Sequence, residues 1–164
     1  MTTQMTQDPN LSRRDFLKLG IGALSALAVL EMGGVSLLFM QPRSLAGEFG
    51  GIVNAGPVAS FPAGSVVEFP DGRFFLIHAP DGGFLAVYSR CTHLGCTISW
   101  KADKNQFFCP CHASSFDTNG DVQNPPAPRA LDLFAIQIED GQILVDTGHI
   151  TQRDHFTTDQ LTYA

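Results

Sequence analysis

All four cysteines of this chain fall between Cys91 and Cys111, with His93 and His112 set among them. No other feature constrains the fold as much, because two short loops must meet face to face to use these side chains together. Cys91-Thr92-His93-Leu94-Gly95-Cys96 is followed, after twelve residues, by Cys109-Pro110-Cys111-His112-Ala113-Ser114. Each half offers one thiolate and one imidazole from a tight loop, and each has one cysteine to spare. Two such loops can hold a two-iron cluster, one iron taking two sulfurs and the other two nitrogens. Cys96 and Cys111, to spare in that case, could then close a disulfide between the loops. A Cys₂His₂ zinc site is the competing reading, but zinc fingers usually place both cysteines first, and two cysteines would go unused. A thiol nucleophile with a histidine base leaves four of the six residues idle. A pure disulfide framework has no need of the histidines.

Around the loops, the chain reads as short strands. From Ile52 onward, β-branched and aromatic runs alternate with turn chemistry. The runs are 65–69, 73–78, 84–88, 97–100, 106–108, 131–138 and 143–145. Pro70-Asp71-Gly72 and Pro80-Asp81-Gly82-Gly83 punctuate the early runs, and Asp140-Gly141 joins the last two as a hairpin. No internal repeat is present, and no credible helix follows Met40. Sixteen glycines and ten prolines fit the same all-β, antiparallel reading. The polar segment 147–164 is expected to be an arm or a frayed end. His149 and His155 within it, and His78 at a strand end, read as ordinary surface histidines.

The N-terminal quarter has a different character. Ser12-Arg13-Arg14-Asp15-Phe16-Leu17-Lys18 resembles the twin-arginine export signal, a route that moves folded proteins. Leu19 to Met40 then runs 22 residues with no Lys or Arg and one acid, Glu31. As a helix it spans about 33 Å, enough for a hydrocarbon core of about 30 Å. Signal-peptide apolar regions run only about 7–15 residues, so the length points to a retained anchor. Ser44-Leu45-Ala46 resembles a cleavage site and is the opposing feature. Glu31 costs on the order of 2–3 kcal/mol near mid-bilayer, so it is expected to face a partner or be protonated. Arg13, Arg14 and Lys18 before the span place the N-terminus inside and the body outside. Segment 41–51, with Pro42 and three glycines, reads as a tether. The expected organisation is 1–18 cytoplasmic, 19–40 anchor, 41–51 tether, 52–146 body and 147–164 tail.

Charge excludes one class of partner. Residues 1–48 sum to zero, while 49–164 hold six Lys or Arg against twelve Asp or Glu. An acidic body does not bind nucleic acid phosphates, though it can dock on a basic protein surface.

The paired loops resemble those of Rieske iron–sulfur proteins, with likeness running from about Val58 to Val145 and its identities concentrated in 91–96 and 109–117. The resemblance implies a Rieske-type antiparallel β-sandwich with a small cluster-binding subdomain and one [2Fe–2S] cluster. Cys91 and Cys109 would bind the inner iron, and His93 and His112 the outer one. Cys96 and Cys111 would form the disulfide. Asn124-Pro125-Pro126-Ala127-Pro128 resembles the proline-rich loop covering the cluster in quinol-oxidising members, with Asn124 where they have glycine. Leu94 and Pro126 would wall the cluster from water. Gly95 belongs to the same loop, and Ala113 replaces a common glycine. Ser114 stands where the family places a hydroxyl bonded to a cluster sulfide. Phe116 stands where high-potential members have a tyrosine bonded to a ligand sulfur. Losing that bond is expected to lower the potential within the Rieske span of about −150 to +300 mV, which suits menaquinol.

The implied function is that of the iron–sulfur subunit of a cytochrome bc-type quinol–cytochrome c oxidoreductase. It would work beside a cytochrome b-type membrane subunit and pass electrons to a c-type cytochrome. His93 and His112 would contact quinol and accept its proton. The expected location is a prokaryotic plasma membrane, with the head extracytoplasmic. The alternative is the small Rieske subunit of a molybdenum oxidoreductase such as arsenite oxidase.

Overall fold

The computed structural model describes residues 12–40 and 49–164. Residues 1–11 of the expected cytoplasmic segment, most of the expected tether and the Ser44-Leu45-Ala46 segment lie outside them. The chain divides into an N-terminal unit and a head beginning at Ser44.

The N-terminal unit carries one helix, α1, Arg13–Met40. Its 28 residues measure about 42 Å. It starts six residues ahead of the apolar stretch, because Ser12 caps it: the Ser12 hydroxyl accepts the Asp15 N–H at 3.2 Å and donates to the Asp15 carboxylate at 2.6 Å. Lys18 and both arginines are thereby helical. No α1 residue is buried, and the helix is long and apolar enough to cross a membrane.

The head is built from ten strands in two antiparallel sheets. β1 (Ile52–Pro57), β2 (Val66–Phe69), β3 (Phe74–His78), β4 (Phe84–Tyr88), β9 (Leu133–Glu139) and β10 (Gln142–Thr151) form the larger, ordered β1-β10-β9-β4-β3-β2. β5 (Ser99–Lys101), β6 (Gln106–Phe108), β7 (Ser115–Phe116) and β8 (Val122–Asn124) form the smaller, in sequence order. This is the expected all-β fold with a small cluster-binding sheet.

β3 and β4 explain why the two sheets hold together. Phe-Phe-Leu-Ile and Phe-Leu-Ala-Val-Tyr are unbroken apolar runs because both faces of these strands are covered. Phe74, Leu76, Phe84, Ala86 and Tyr88 enter one core with Phe134, Ile143 and Val145. Phe75, Ile77, Leu85 and Val87 enter a second core with Ile98, Phe107, Phe116 and Leu131. Cys91 and Cys109 belong to that second core, so the expected ligand cysteines stand on its apolar floor.

Asp140 and Gly141 take left-handed φ values of 49° and 73°, the two-residue turn their dipeptide favours. β10 runs well beyond Val145, the expected strand end. A register shift between Asp146 and Ile150 allows this, with the Asp146 carboxylate taking the Gly148 N–H at 2.8 Å. The tail is ordered rather than frayed. Arg153 is buried and donates to the Leu131 carbonyl at 2.8 Å, to Gln160 at 2.6 Å and to the Asn119 carbonyl. Phe156 N–H donates to Asp121 at 2.7 Å, and Thr162 bridges to Phe84.

Phe49, Gly50 and Gly51, which the sequence groups with the tether, pack on the head. Phe49 stacks on Tyr88 at 5.6 Å, and the Arg73 guanidinium lies 4.8 Å above its ring. The Thr147 hydroxyl accepts the N–H groups of Gly50 and Gly51 at 2.9 and 3.2 Å.

Candidate metal centre

Two hairpin tips of the same construction carry the site. In the first, Ser89 accepts from Ile98 N–H, Arg90 bridges Thr97, and Cys91 N–H donates to the Cys96 carbonyl at 2.8 Å. In the second, β6 and β7 pair Phe107 with Phe116 and Phe108 with Ser115. Cys109 N–H then donates to the Ser114 carbonyl at 2.9 Å. Each tip therefore runs six residues from its opening cysteine. Each also tightens through a bond four residues back, Gly95 N–H to Cys91 and Ala113 N–H to Cys109. The fifth residue of each tip turns left-handed, Gly95 at φ 80° and Ala113 at φ 60°.

This shared frame brings the predicted ligands together. Cys91 and Cys109 are both buried and both free thiols. The rings of His93 and His112 meet edge to face, centroids 4.9 Å apart. His93 is half-buried and His112 exposed, so the two sulfurs lie inside and the imidazoles toward solvent. Cys96 and Cys111 are disulfide-bonded. Their sulfurs lie within 4.8 Å of the Cys109 sulfur, so the bridge ties the tips beside a candidate ligand.

Burial pushes the Cys91 thiol up from its ordinary pKa, and the neighbouring Cys109 thiol pushes the same way. The His93 backbone N–H and the Ser114 hydroxyl, both bonded to the Cys91 sulfur, pull it down. The buried Cys91 thiol ionises reluctantly until a cation arrives, and metal binding displaces its proton. Two inner thiols and two outer imidazoles on one frame are the donor set a two-iron cluster of mixed ligation requires. The residues fit that group.

A third segment closes over the tips. The Ser114 hydroxyl accepts the Ala127 N–H at 3.0 Å. Asn124 donates through Nδ2 to the carbonyls of Ala113 and Pro125, both at 3.0 Å. Thr92 donates through its hydroxyl to the Arg129 carbonyl at 2.7 Å. The proline segment, with a cis bond between Pro125 and Pro126, is thus tied to both hairpin tips. Pro126 and Leu94 are exposed, Leu94 at 70 %. Phe116 is fully buried in the core below the cysteines.

Thr92, Asn124 and Ala127 hold the arrangement without having been singled out as site residues. Thr92 had a legible signal, a hydroxyl between two candidate ligands; the Ala127 backbone donor had none. The other histidines lie elsewhere. His78 donates through Nδ1 to the Phe61 carbonyl at 2.7 Å and stacks on Phe84. His149 pairs with Asp146, and His155 is exposed.

Comparison with known proteins agrees with this geometry. The Rieske [2Fe–2S] domain family profile matches residues 52–135. A "Cytochrome b6-f complex iron-sulfur subunit" of Parasynechococcus marenigrum is 32 % identical, with 98 % of each chain covered. One of the same name from Prochlorococcus marinus is 35 % identical over 96 % of this chain and 97 % of its own. A solved naphthalene 1,2-dioxygenase with indole bound in its active site is alike in fold alone, at TM-score 0.50 and 18 % identity. That likeness covers 61 % of this chain and 27 % of the dioxygenase.

Proposed function

Because the chain belongs to the Rieske [2Fe–2S] family, we propose that it is the iron–sulfur subunit of a cytochrome b-containing, quinol-oxidising membrane complex. A Rieske domain carries one [2Fe–2S] cluster, and such subunits are oxidoreductase components. The observation that carries the reading is the pair of matching hairpin tips, with two buried thiols under two outward imidazoles. Near-complete coverage of b6-f subunits that share the N-terminal region favours this complex over the molybdenum-enzyme alternative.

Cys91 and Cys109 would hold the inner iron, His93 and His112 the outer one. When bound, the cluster supplies one-electron redox chemistry. Each imidazole has one ring nitrogen for the metal and one left for a proton. His93 and His112 would accept the hydrogen bond, then the proton, of a quinol hydroxyl at that second nitrogen, as the electron enters the centre. With a reduced cluster bound, its added negative charge would favour the proton on each ring and couple the two transfers. Exposed Leu94 and Pro126 would seal the contact against cytochrome b and exclude water. Ser114 would hold Cys91 by its hydroxyl while its oxygen fixes the Ala127 N–H.

The finer assignments extend this reading. The acceptor is a c-type cytochrome and the quinol is menaquinol, supported by the tyrosine-to-phenylalanine change at Phe116. The helix Arg13–Met40 anchors the chain by a single pass in a prokaryotic plasma membrane. Arg13, Arg14 and Lys18 ahead of it hold the N-terminus inside, with the head outside. The twin-arginine signal delivers it there, folded, and the anchor stays uncleaved on a tether ending at the head.

Electron paramagnetic resonance of the membrane fraction tests the core of this reading. A reduced mixed-ligand [2Fe–2S] signal that changes shape with a quinol-site inhibitor is expected. A cluster signal indifferent to the inhibitor would sink the quinol assignment. His93→Ala and His112→Ala should each abolish the signal rather than merely slow turnover.

A further inference from the structure

Arg90 immediately precedes Cys91, and its bridge to Thr97 fixes its backbone at the base of the first hairpin tip. The Nε–Nη2 edge of its guanidinium closes on Gly95, on the side where a side chain would stand. A methyl group built on Gly95 would stand 2.6 Å from Nε, 2.7 Å from Nη2 and 3.0 Å from Cζ of Arg90. Gly95 is therefore favoured twice, by its φ of +80° and because a side chain there would displace the Arg90 guanidinium.

The charge seated there is unusual in its surroundings. Two surface depressions of about 540 and 470 Å³ flank the first tip, and Arg90 lines both. The other arginines in them are engaged: Arg73 lies over the Phe49 ring, and Arg129 pairs with Asp132. Among the described residues Arg90 forms no ion pair, although Glu68 shares one depression and Asp132 the other. Among residues 49–164, with twelve acids against six bases, an uncompensated cation is thus held on the loop that bears Cys91 and His93.

We propose that Arg90, seated on Gly95, is an electrostatic positioning residue that holds the potential of the centre up. This rests on the ligand assignment above. Reduction adds one negative charge to the centre, so a fixed cation on its loop favours the reduced form, and net charge is among the determinants of such potentials. Arg90 acts in opposition to Phe116, whose buried ring offers no hydrogen bond to sulfur.

The test is a redox titration followed by paramagnetic resonance on the full-length chain in detergent-solubilised membranes, for Arg90→Lys, Arg90→Gln and Arg90→Glu. Arg90→Lys keeps the charge and should titrate like the parent. Arg90→Gln should lower the one-electron reduction equilibrium about threefold, and Arg90→Glu about tenfold. At about 59 mV per tenfold, these are falls of roughly 28 and 59 mV. Both should shrink as ionic strength rises, because the site is exposed to solvent. A purely structural role would shift lysine as much as glutamine and ignore salt. That outcome, or unchanged potentials in glutamine and glutamate, overturns the proposal. If the glutamate variant holds no cluster, the lysine and glutamine pair decides alone. Absence of the iron–sulfur signal in the parent chain would instead refute the ligand assignment.

Discussion

The side-chain amide of Asn124 donates to the carbonyl of Ala113 at 3.0 Å, joining the start of the proline segment to the second hairpin tip. Both residues stand where the family's usual pattern has glycine, and here they touch. A glycine at 124 could not reach across. The same amide also donates to the Pro125 carbonyl at 3.0 Å, so one side chain holds the segment and its anchor together.

Removing that amide should loosen the cover. Asn124→Ala is expected to cost about 0.5–1 kcal/mol, the low end for a hydrogen bond, because the pair is exposed. Cluster loss under a chelator, followed by visible absorbance, should be faster than in the parent chain. An unchanged rate would mean the Ser114 and Thr92 bonds suffice to hold the segment.

Ala113 sits at φ 60°, which costs an L-residue other than glycine about 1–2 kcal/mol. Ala113→Gly relieves that strain but loosens the unfolded chain. A net gain of about 0.5–1 kcal/mol is expected in denaturant titration of the head. Gly95→Ala should run the other way, with strain added and Arg90 displaced. Equal and opposite effects are not expected, since Ala113 evicts no neighbour.

The disulfide Cys96–Cys111 closes a loop of sequence separation 15 and joins the two tips beside Cys109. Replacing both cysteines by serine should destabilise the head by about 3 kcal/mol on the loop-entropy scale. The signal of the double variant should decay on mild heating while that of the parent persists. Equal decay would show that the hairpin bonds alone keep the tips apposed.

Phe116 is wholly buried among the side chains beneath the cysteines. A hydroxyl placed there and bonded to a ligand sulfur would stabilise the electron-rich reduced state. Phe116→Tyr should therefore raise the reduction equilibrium about tenfold, roughly 59 mV. A potential at or below that of the parent chain would remove Phe116 as the reason for a low value.

The Asp146 carboxyl is held below the usual carboxylate range by the Gly148 backbone N–H, with His149 helping. Its folded pKa lies below its unfolded one. Its contribution is therefore present above the unfolded pKa, near 4, and disappears as pH falls through the lower folded value. Asp146→Asn should lower stability near neutrality, where that contribution is full, and converge on the parent as pH falls below about 4. A parallel drop at every pH would mean that the carboxylate charge is irrelevant and only the bulge geometry matters.

Much of this is legible in the sequence, for reasons that differ by region. The disulfide and the meeting of Cys91, Cys109, His93 and His112 were legible because Cys91–Cys96 and Cys109–Ser114 are local motifs, in which spacing is itself geometry. The β9–β10 turn was legible because Asp140-Gly141 suits two left-handed residues. β1 and the later half of β10 were not, since Ile52–Pro57 gain strand character from residues 142–146 and Ile150 and Thr151 from Phe134 and Leu133, partners far off in sequence. The order of the tail was hidden for the same reason. Arg153 looks like a surface cation until the Leu131 and Asn119 carbonyls are brought to it. The pairing of Arg90 with Gly95 was invisible too, being a close approach of a side chain to a Cα.

β3 and β4, covered on both faces, have one more consequence. The strand that ends at Tyr88 passes through Ser89 and Arg90 directly into Cys91, and its side chains alternate between the two cores. The two hairpin tips are therefore not a detachable module. A designer who transplanted residues 89–131 alone to a new scaffold would leave the floor behind Phe75, Ile77, Leu85 and Val87, exposing the second core to water. The smallest portable unit of this centre includes both central strands of the larger sheet, and with them a face that any host would have to bury.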